Sequence, residues 1–389
     1  MRSIYIMLGF KNANVYVEGK GIVKTDIGFE KGVIAAIGEN LAVDEIATLS
    51  DNAVVVPGFI DEHIHGAAGA DAMDGSVEAL SKIANAIASE GTTAFLATTM
   101  TQSPENITKA LKAVDTYVKL NKDTGAEILG VHLEGPFISP KHVGAQPLEY
   151  VAKPEVATFK KYEEASGNRI KIVSMAPEQD ETGDLIKYLC GKNIVASIGH
   201  TGATYVQAER GVDLGMRSVT HTYNAQTPLH HRDAGVVGAA LLDDRLNCEL
   251  ICDTIHVSVP AIKLVVKNKP HDKVTLITDS MRAKHMPDGI SELGGQTVIV
   301  KNGEARLTDG TLAGSVLKMN DAVKNVTQKV GVNFLDVVDF ATANPAKNLG
   351  VYDRMGSIKV GKLANVTVLD KNDFSVLLTV RNGKVIYKK

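Results

Sequence analysis

The sequence predicts an α/β protein, a (β/α)8 barrel of TIM type joined to a small β-sandwich that both chain ends build together. Three observations predict it. Between Ala53 and Thr278, eight apolar, β-rich segments alternate with stretches whose apolar residues mostly fall at helical spacing. Both ends of the chain instead string short β-rich runs between turn signals. Six of the eight segments also finish in His, Glu or Asp, as expected where the C-terminal ends of barrel strands share one mouth.

Residues 1–52 carry β-rich runs over 4–17, 22–29 and 33–37, divided by Gly19-Lys20-Gly21 and Glu30-Lys31-Gly32, which suit hairpin turns. Residues 357–389 read the same way, with Asn382-Gly383 as a strong hairpin signal near the end. Neither piece has the apolar area to stand alone, so the two should pair into one split sandwich. The barrel is expected over 53–356, an ordinary size for that fold. Its first strand reads from the uncharged, β-branched Ala53-Val-Val-Val56 through Pro57 to His63 and His65. Ser76 suits a helix cap ahead of Val77, Leu80, Ile83, Ala84 and Ile87, and Gly91 a helix stop. After a strand over 93–99, Ser103-Pro104 opens a second helix with Pro at the permitted first position. Further strands are expected over 127–133, 169–175, 193–198, 218–222, 246–252 and 273–278, and helices over 184–190, 205–214 and 259–268. The Gly-rich stretch 281–312 reads as an insertion over the barrel mouth.

Bulk properties narrow the function. With 42 basic against 45 acidic residues, net charge is −3, which points to neither nucleic acid nor an anionic membrane. No apolar stretch approaches the roughly 20 residues that span a bilayer. The first ten residues show no cleavage-site pattern, and Cys190, Cys248 and Cys252 are too few for a disulfide framework, so a reducing cytoplasm is expected.

The chemistry lies at the strand ends. Residues i and i+2 of a strand share a face, so His63 and His65 converge and can share a metal ion, or be core histidines bonded to carbonyls. Glu134, His200 and His221 make a set of two histidines and one carboxylate, which leaves open positions on an ion for water and substrate. The five residues together suffice for two ions bridged by Glu134. Asp279, from the last strand, is the best general base, taking a proton from metal-activated water and passing it to a leaving nitrogen. It could also ligate the metal.

These residues resemble the amidohydrolase superfamily and, within it, the N-acetylglucosamine-6-phosphate deacetylase family. The resemblance rests on Pro57-Gly-Phe-Ile-Asp-Glu-His-Ile-His-Gly, His132-Leu-Glu-Gly-Pro-Phe, Gly199-His-Thr, Thr220-His-Thr-Tyr-Asn-Ala, Ile277-Thr-Asp and Thr311-Leu-Ala-Gly-Ser, in family order. It implies hydrolysis of the acetamide of N-acetyl-D-glucosamine 6-phosphate, with Glu134, His200 and His221 on the essential metal and Asp279 as acid/base. It further implies substrate contacts at Ala145, Gln146, Asn224, Ala225, Arg232, Asp253, His256, Leu312, Ala313 and Gly314. His63 and His65 mark the type that can hold two ions, while Zn, Fe, Mn and Co all suit the ligands. Strand four carries no lysine to bridge two metals, so Glu134 takes that place. Gln146 or neighbouring His142 would meet the sugar, Arg232 would fork onto the phosphate, and His256 would serve phosphate or carbonyl. The phosphate pocket of the family is completed across an interface, which implies a homodimer. The rival expectations are an amidohydrolase acting on another N-acetylated amino sugar or a cyclic amide, and a non-catalytic relative.

Overall fold

The computed structural model describes residues 7–120 and 124–389. Eight parallel strands follow one another in sheet order: Phe59–Ile64, Thr92–Thr99, Glu127–Glu134, Ile170–Met175, Val195–Ile198, Ser218–Val219, Asn247–Ile251 and Val274–Ile277. All eight are almost wholly buried, as strands covered by helices outside and side chains inside must be. Residues just past the eighth strand close the ring: the Asp279 N–H donates to His63 O at 2.8 Å and the His65 N–H to Ser280 O at 2.9 Å. The expected helices appear as Val77–Ile87, Pro104–Leu120, Asp184–Gly191, Tyr205–Asp213 and Val259–Asn268. The largest core cluster lies between strands and helices, where Leu80, Ile83, Leu111, Val114, Leu185 and Ile262 meet the outward faces of the strands. At the other end of the ring, Ile60, Leu96, Ile172 and Val195 pack on Ala346, Leu349 and Met355.

The chain ends pair as expected. They form one eight-stranded sheet that runs Lys384–Lys388, Val376–Arg381, Val366–Asp370, Ala53–Pro57, Met7–Val17, Gly21–Glu30 and Val33–Gly38, with Val43–Glu45 beside Met7–Val17. Two of the three expected hairpin turns have the left-handed backbone their residues allow at both central positions, Lys31 and Gly32 at φ 49° and 83°, Asn382 and Gly383 at 49° and 72°. Residues 4–6 of the expected first strand lie outside the described residues.

One boundary is corrected. Ala53–Pro57 is not the run-in to the first barrel strand but the middle of the terminal sheet, parallel to Met7–Val17 and antiparallel to Val366–Asp370. The chain passes from sheet to barrel at Gly58, where a Cβ would sit 2.2 Å from the Thr93 side chain. Both strands are buried on both faces, so their composition is alike.

The stretch 281–312 holds a three-stranded antiparallel sheet, Gly289–Leu293, Gln296–Lys301 and Glu304–Leu307. It packs through Leu293, Val298, Val300 and Ala305 on Met100, Met281 and Ala313, beside the barrel mouth.

Candidate active site

Six of the eight strand ends contribute polar side chains to the mouth, among them His65, Glu134, His200, His221, His256 and Asp279. Three of them follow their strand in left-handed backbone that non-glycine residues rarely adopt: His200 at φ 46°, His221 at 32° and Asp279 at 47°. Such positions cost about 1–3 kcal/mol each and persist where the surroundings over-determine them. Here they turn three polar side chains back over the open end of the ring.

Glu134 is the centre. Its Oε1 lies 3.1 Å from His200 Nε2, 3.0 Å from His221 Nε2 and 3.5 Å from His63 Nε2. Its Oε2 lies 3.3 Å from His65 Nε2 and accepts from Gln146 Nε2 at 2.6 Å. Asp279 Oδ1 completes the ring, 3.2 Å from His65 Nε2 and 3.6 Å from His63 Nε2. All six side chains are buried or nearly so. Glu134 lies between the set it forms with His200 and His221 and the set of His63, His65 and Asp279.

Two features fit these sets to divalent cations. The Nε2 atoms of His200 and His221 lie only 3.1 Å apart, and buried His63 Nε2 has no hydrogen-bond partner. The far nitrogens are fixed as donors: His200 Nδ1 faces His142 O at 2.9 Å and His65 Nδ1 faces Thr98 O at 3.3 Å. A carbonyl can only accept, so the lone pair of each Nε2 is turned to the centre, as a metal ligand requires.

The electrostatics agree. With no cation bound, when the rings can carry a proton at Nε2 as well, burial works against ionised Glu134, but the charge on His63 and the bonds from His200, His221 and His65 outweigh it and hold the carboxyl well below its usual range. Asp279 follows the same balance, burial pushing it up while His63 and His65 bring it down to about 2. It is therefore a carboxylate and an acceptor.

A cavity of about 380 Å³ opens over this cluster. Of the expected contacts, Ala145, Gln146, Asn224, Ala225, His256, Leu312 and Gly314 line it. Gln146 is held between Glu134 and the Thr101 N–H, which donates to its Oε1 at 2.6 Å. His142, its alternative, also lines the wall. Asp253 stands behind His256, its Oδ2 2.7 Å from Nδ1 and its Oδ1 accepting two backbone N–H bonds at 2.8 Å. Ala313 is not in the wall; it is fully buried in the core under the mouth sheet, its N–H bonded to Ala305 O. Arg232 is also outside it, on an exposed loop with Nη1 2.6 Å from His231 Nε2. Sequence reasoning missed Met100, Leu293 and Thr311 in the wall and, beneath it, Glu249, whose signal was a carboxylate in the middle of an apolar strand.

The sequence profile of the amidohydrolase family matches residues 54–386, the whole barrel and the part of the terminal sheet from Ala53–Pro57 onward. The chain belongs to the amidohydrolase family. Among its amidohydrolase relatives, the N-acetylglucosamine-6-phosphate deacetylase of Bacillus subtilis (strain 168) is 41% identical over 97% of this chain and 96% of that one. The N-acetylgalactosamine-6-phosphate deacetylase of Escherichia coli O157:H7 is 38% identical over 87% and 89%. The crystal structure of N-acetylglucosamine-6-phosphate deacetylase from Pasteurella multocida superimposes with a TM-score of 0.90 at 31% identity, covering 98% and 99% of the two chains.

Proposed function

We propose that this amidohydrolase removes the acetyl group of N-acetyl-D-glucosamine 6-phosphate, giving D-glucosamine 6-phosphate and acetate. The observation that carries the reading is a histidine–carboxylate cluster with ionised Asp279 at the floor of one cavity, in a chain similar over nearly its full length to such deacetylases. Glu134, His200 and His221 would hold one divalent cation and His63, His65 and Asp279 a second, with Zn, Fe, Mn and Co all suited to these donors. A cation there supplies Lewis acidity toward the amide carbonyl and makes water a proton donor near neutral pH. Asp279 takes the proton of the attacking water and returns it to the nitrogen as the C–N bond breaks. Gln146 steadies Glu134, and His256, oriented by Asp253, donates to the phosphate or to the acetamide carbonyl. Replacing both His63 and His65 should lower metal content from two ions per chain towards one.

Among the described residues no Lys or Arg lines the cavity. A phosphate dianion therefore calls for a cation from elsewhere, which supports a homodimer in which the exposed Arg232 loop reaches the neighbouring copy. We read the terminal sheet as a sandwich domain of its own around the barrel, and the enzyme as cytoplasmic. No helix among the described residues is long and apolar enough to cross a membrane.

Acetate release by the purified protein tests the reading. Rapid release from the 6-phosphate and slow release from unphosphorylated N-acetylglucosamine is expected. Equal rates would remove the phosphate contact, and no release from either would remove the deacetylase. The likeness to the Escherichia coli relative makes N-acetyl-D-galactosamine 6-phosphate the second substrate to compare.

A further inference from the structure

Glu249 sits midway along the seventh barrel strand, Asn247–Ile251, and no step above uses it. Its side chain is wholly buried inside the ring. Its Oε2 lies 3.1 Å from His63 Nδ1 and accepts the backbone N–H of His221 at 3.3 Å, while Oε1 has no partner. A carboxylate taken out of water is costly, so what it does for its two neighbours matters. For His63 the effect is chemical. With an acceptor at Nδ1, the ring proton stays there and the lone pair of Nε2 faces the site. That Nε2 is buried without a hydrogen-bond partner, 3.5 Å from Glu134 Oε1 and 3.6 Å from Asp279 Oδ1. These separations are longer than hydrogen bonds and suit ligands arranged around an ion. For His221 the same oxygen helps to hold a strained backbone, at φ 32°.

We propose that Glu249 is a positioning residue, fixing the ring and proton of His63 and thereby setting how tightly the second cation is held. The proposal rests on the two-cation reading above. It is tested by titrating metal-free protein with Mn2+ or Co2+, reading stoichiometry and affinity by calorimetry and, for Co2+, by the visible spectrum. Wild type is expected to bind two ions. Glu249→Leu should bind the second about 10–100-fold more weakly, and the first, whose ligand His221 Glu249 also steadies, should weaken by much less than that. Glu249→Gln, which retains an acceptor oxygen, should fall between. Two ions held by Glu249→Leu as tightly as by wild type, or both weakened alike, would overturn the role of Glu249 alone. A single ion in wild type would overturn the two-cation reading and this inference with it. Should Glu249→Leu fail to fold, nitrogen NMR of histidine-labelled, metal-free wild type decides: His63 protonated at Nδ1 supports the proposal, and protonation at Nε2 alone sinks it.

Discussion

Asp279 is held from two directions, its backbone N–H bonded to His63 O at 2.8 Å and its carboxylate 3.2 Å from His65 Nε2. Asp279→Asn keeps the size of the side chain but removes the oxygen that takes up a proton. Turnover should fall by about 10²–10⁴ while the substrate still binds and the first cation stays, as read by acetate release, calorimetry and metal content. Turnover near that of wild type would exclude Asp279 as the proton carrier. At this scale the clustering of Glu134, His200, His221 and Asp279 was legible because they end strands, and strand ends of a barrel meet wherever the helices between them lead. Glu249 and the Gln146–Glu134 bond were not. The partner of Glu249 is 186 residues away in the chain, and Gln146 sits in a loop whose path no periodicity sets. Arg232 shows the reverse case, a loop residue named through a resemblance that a single chain does not bring to the cavity.

Helix Val77–Ile87 illustrates what local chemistry decides. Ser76 Oγ accepts the Ala79 N–H at 3.1 Å, satisfying one of the free donors of the first turn. Ser76→Ala should cost about 1 kcal/mol of stability, measured by urea unfolding, with substrate affinity unchanged. Caps, turns and helical spacing of this kind were readable one element at a time. The Ala53–Pro57 strand was not, because two fully buried strands in succession look like one. Only their partners distinguish them, Val366–Asp370 for the first and Thr92–Thr99 for the second. The three-stranded sheet at the mouth lacked a clear signal for the opposite reason, since its strands are short and half-exposed.

Distant parts of the whole molecule are tied by one buried ionic cluster. Glu90, ahead of the second barrel strand, lies 3.0 Å from Lys284 Nζ and 2.7 Å from His285 Nε2, and accepts the Met319 N–H at 3.0 Å. Glu90 and Lys284 are both fully buried, so Lys284→Met removes the buried cation facing Glu90 and should cost about 3–5 kcal/mol in thermal unfolding. The cluster also sets a pH dependence. Burial would raise the Glu90 carboxyl, but Lys284 and His285 outweigh it and hold it below the usual 4.5. A carboxyl depressed in the folded state contributes stability that is complete above that value and is lost as pH falls through the folded one. Stability should therefore drop more steeply below about pH 4.5 in wild type than in Glu90→Gln, as melting temperatures across that range would show. The terminal sheet has its own bearing on how the protein is made. Ala53–Pro57 finds one neighbour in Met7–Val17, which leaves the ribosome before it, and the other in Val366–Asp370, which leaves only after the whole barrel. Throughout synthesis that strand waits with a bare edge, open to the same edge on another nascent chain. The last few dozen codons thus decide whether the first strands stay single, and a chain stopped at residue 356 should be recovered as aggregate while the full chain stays in solution.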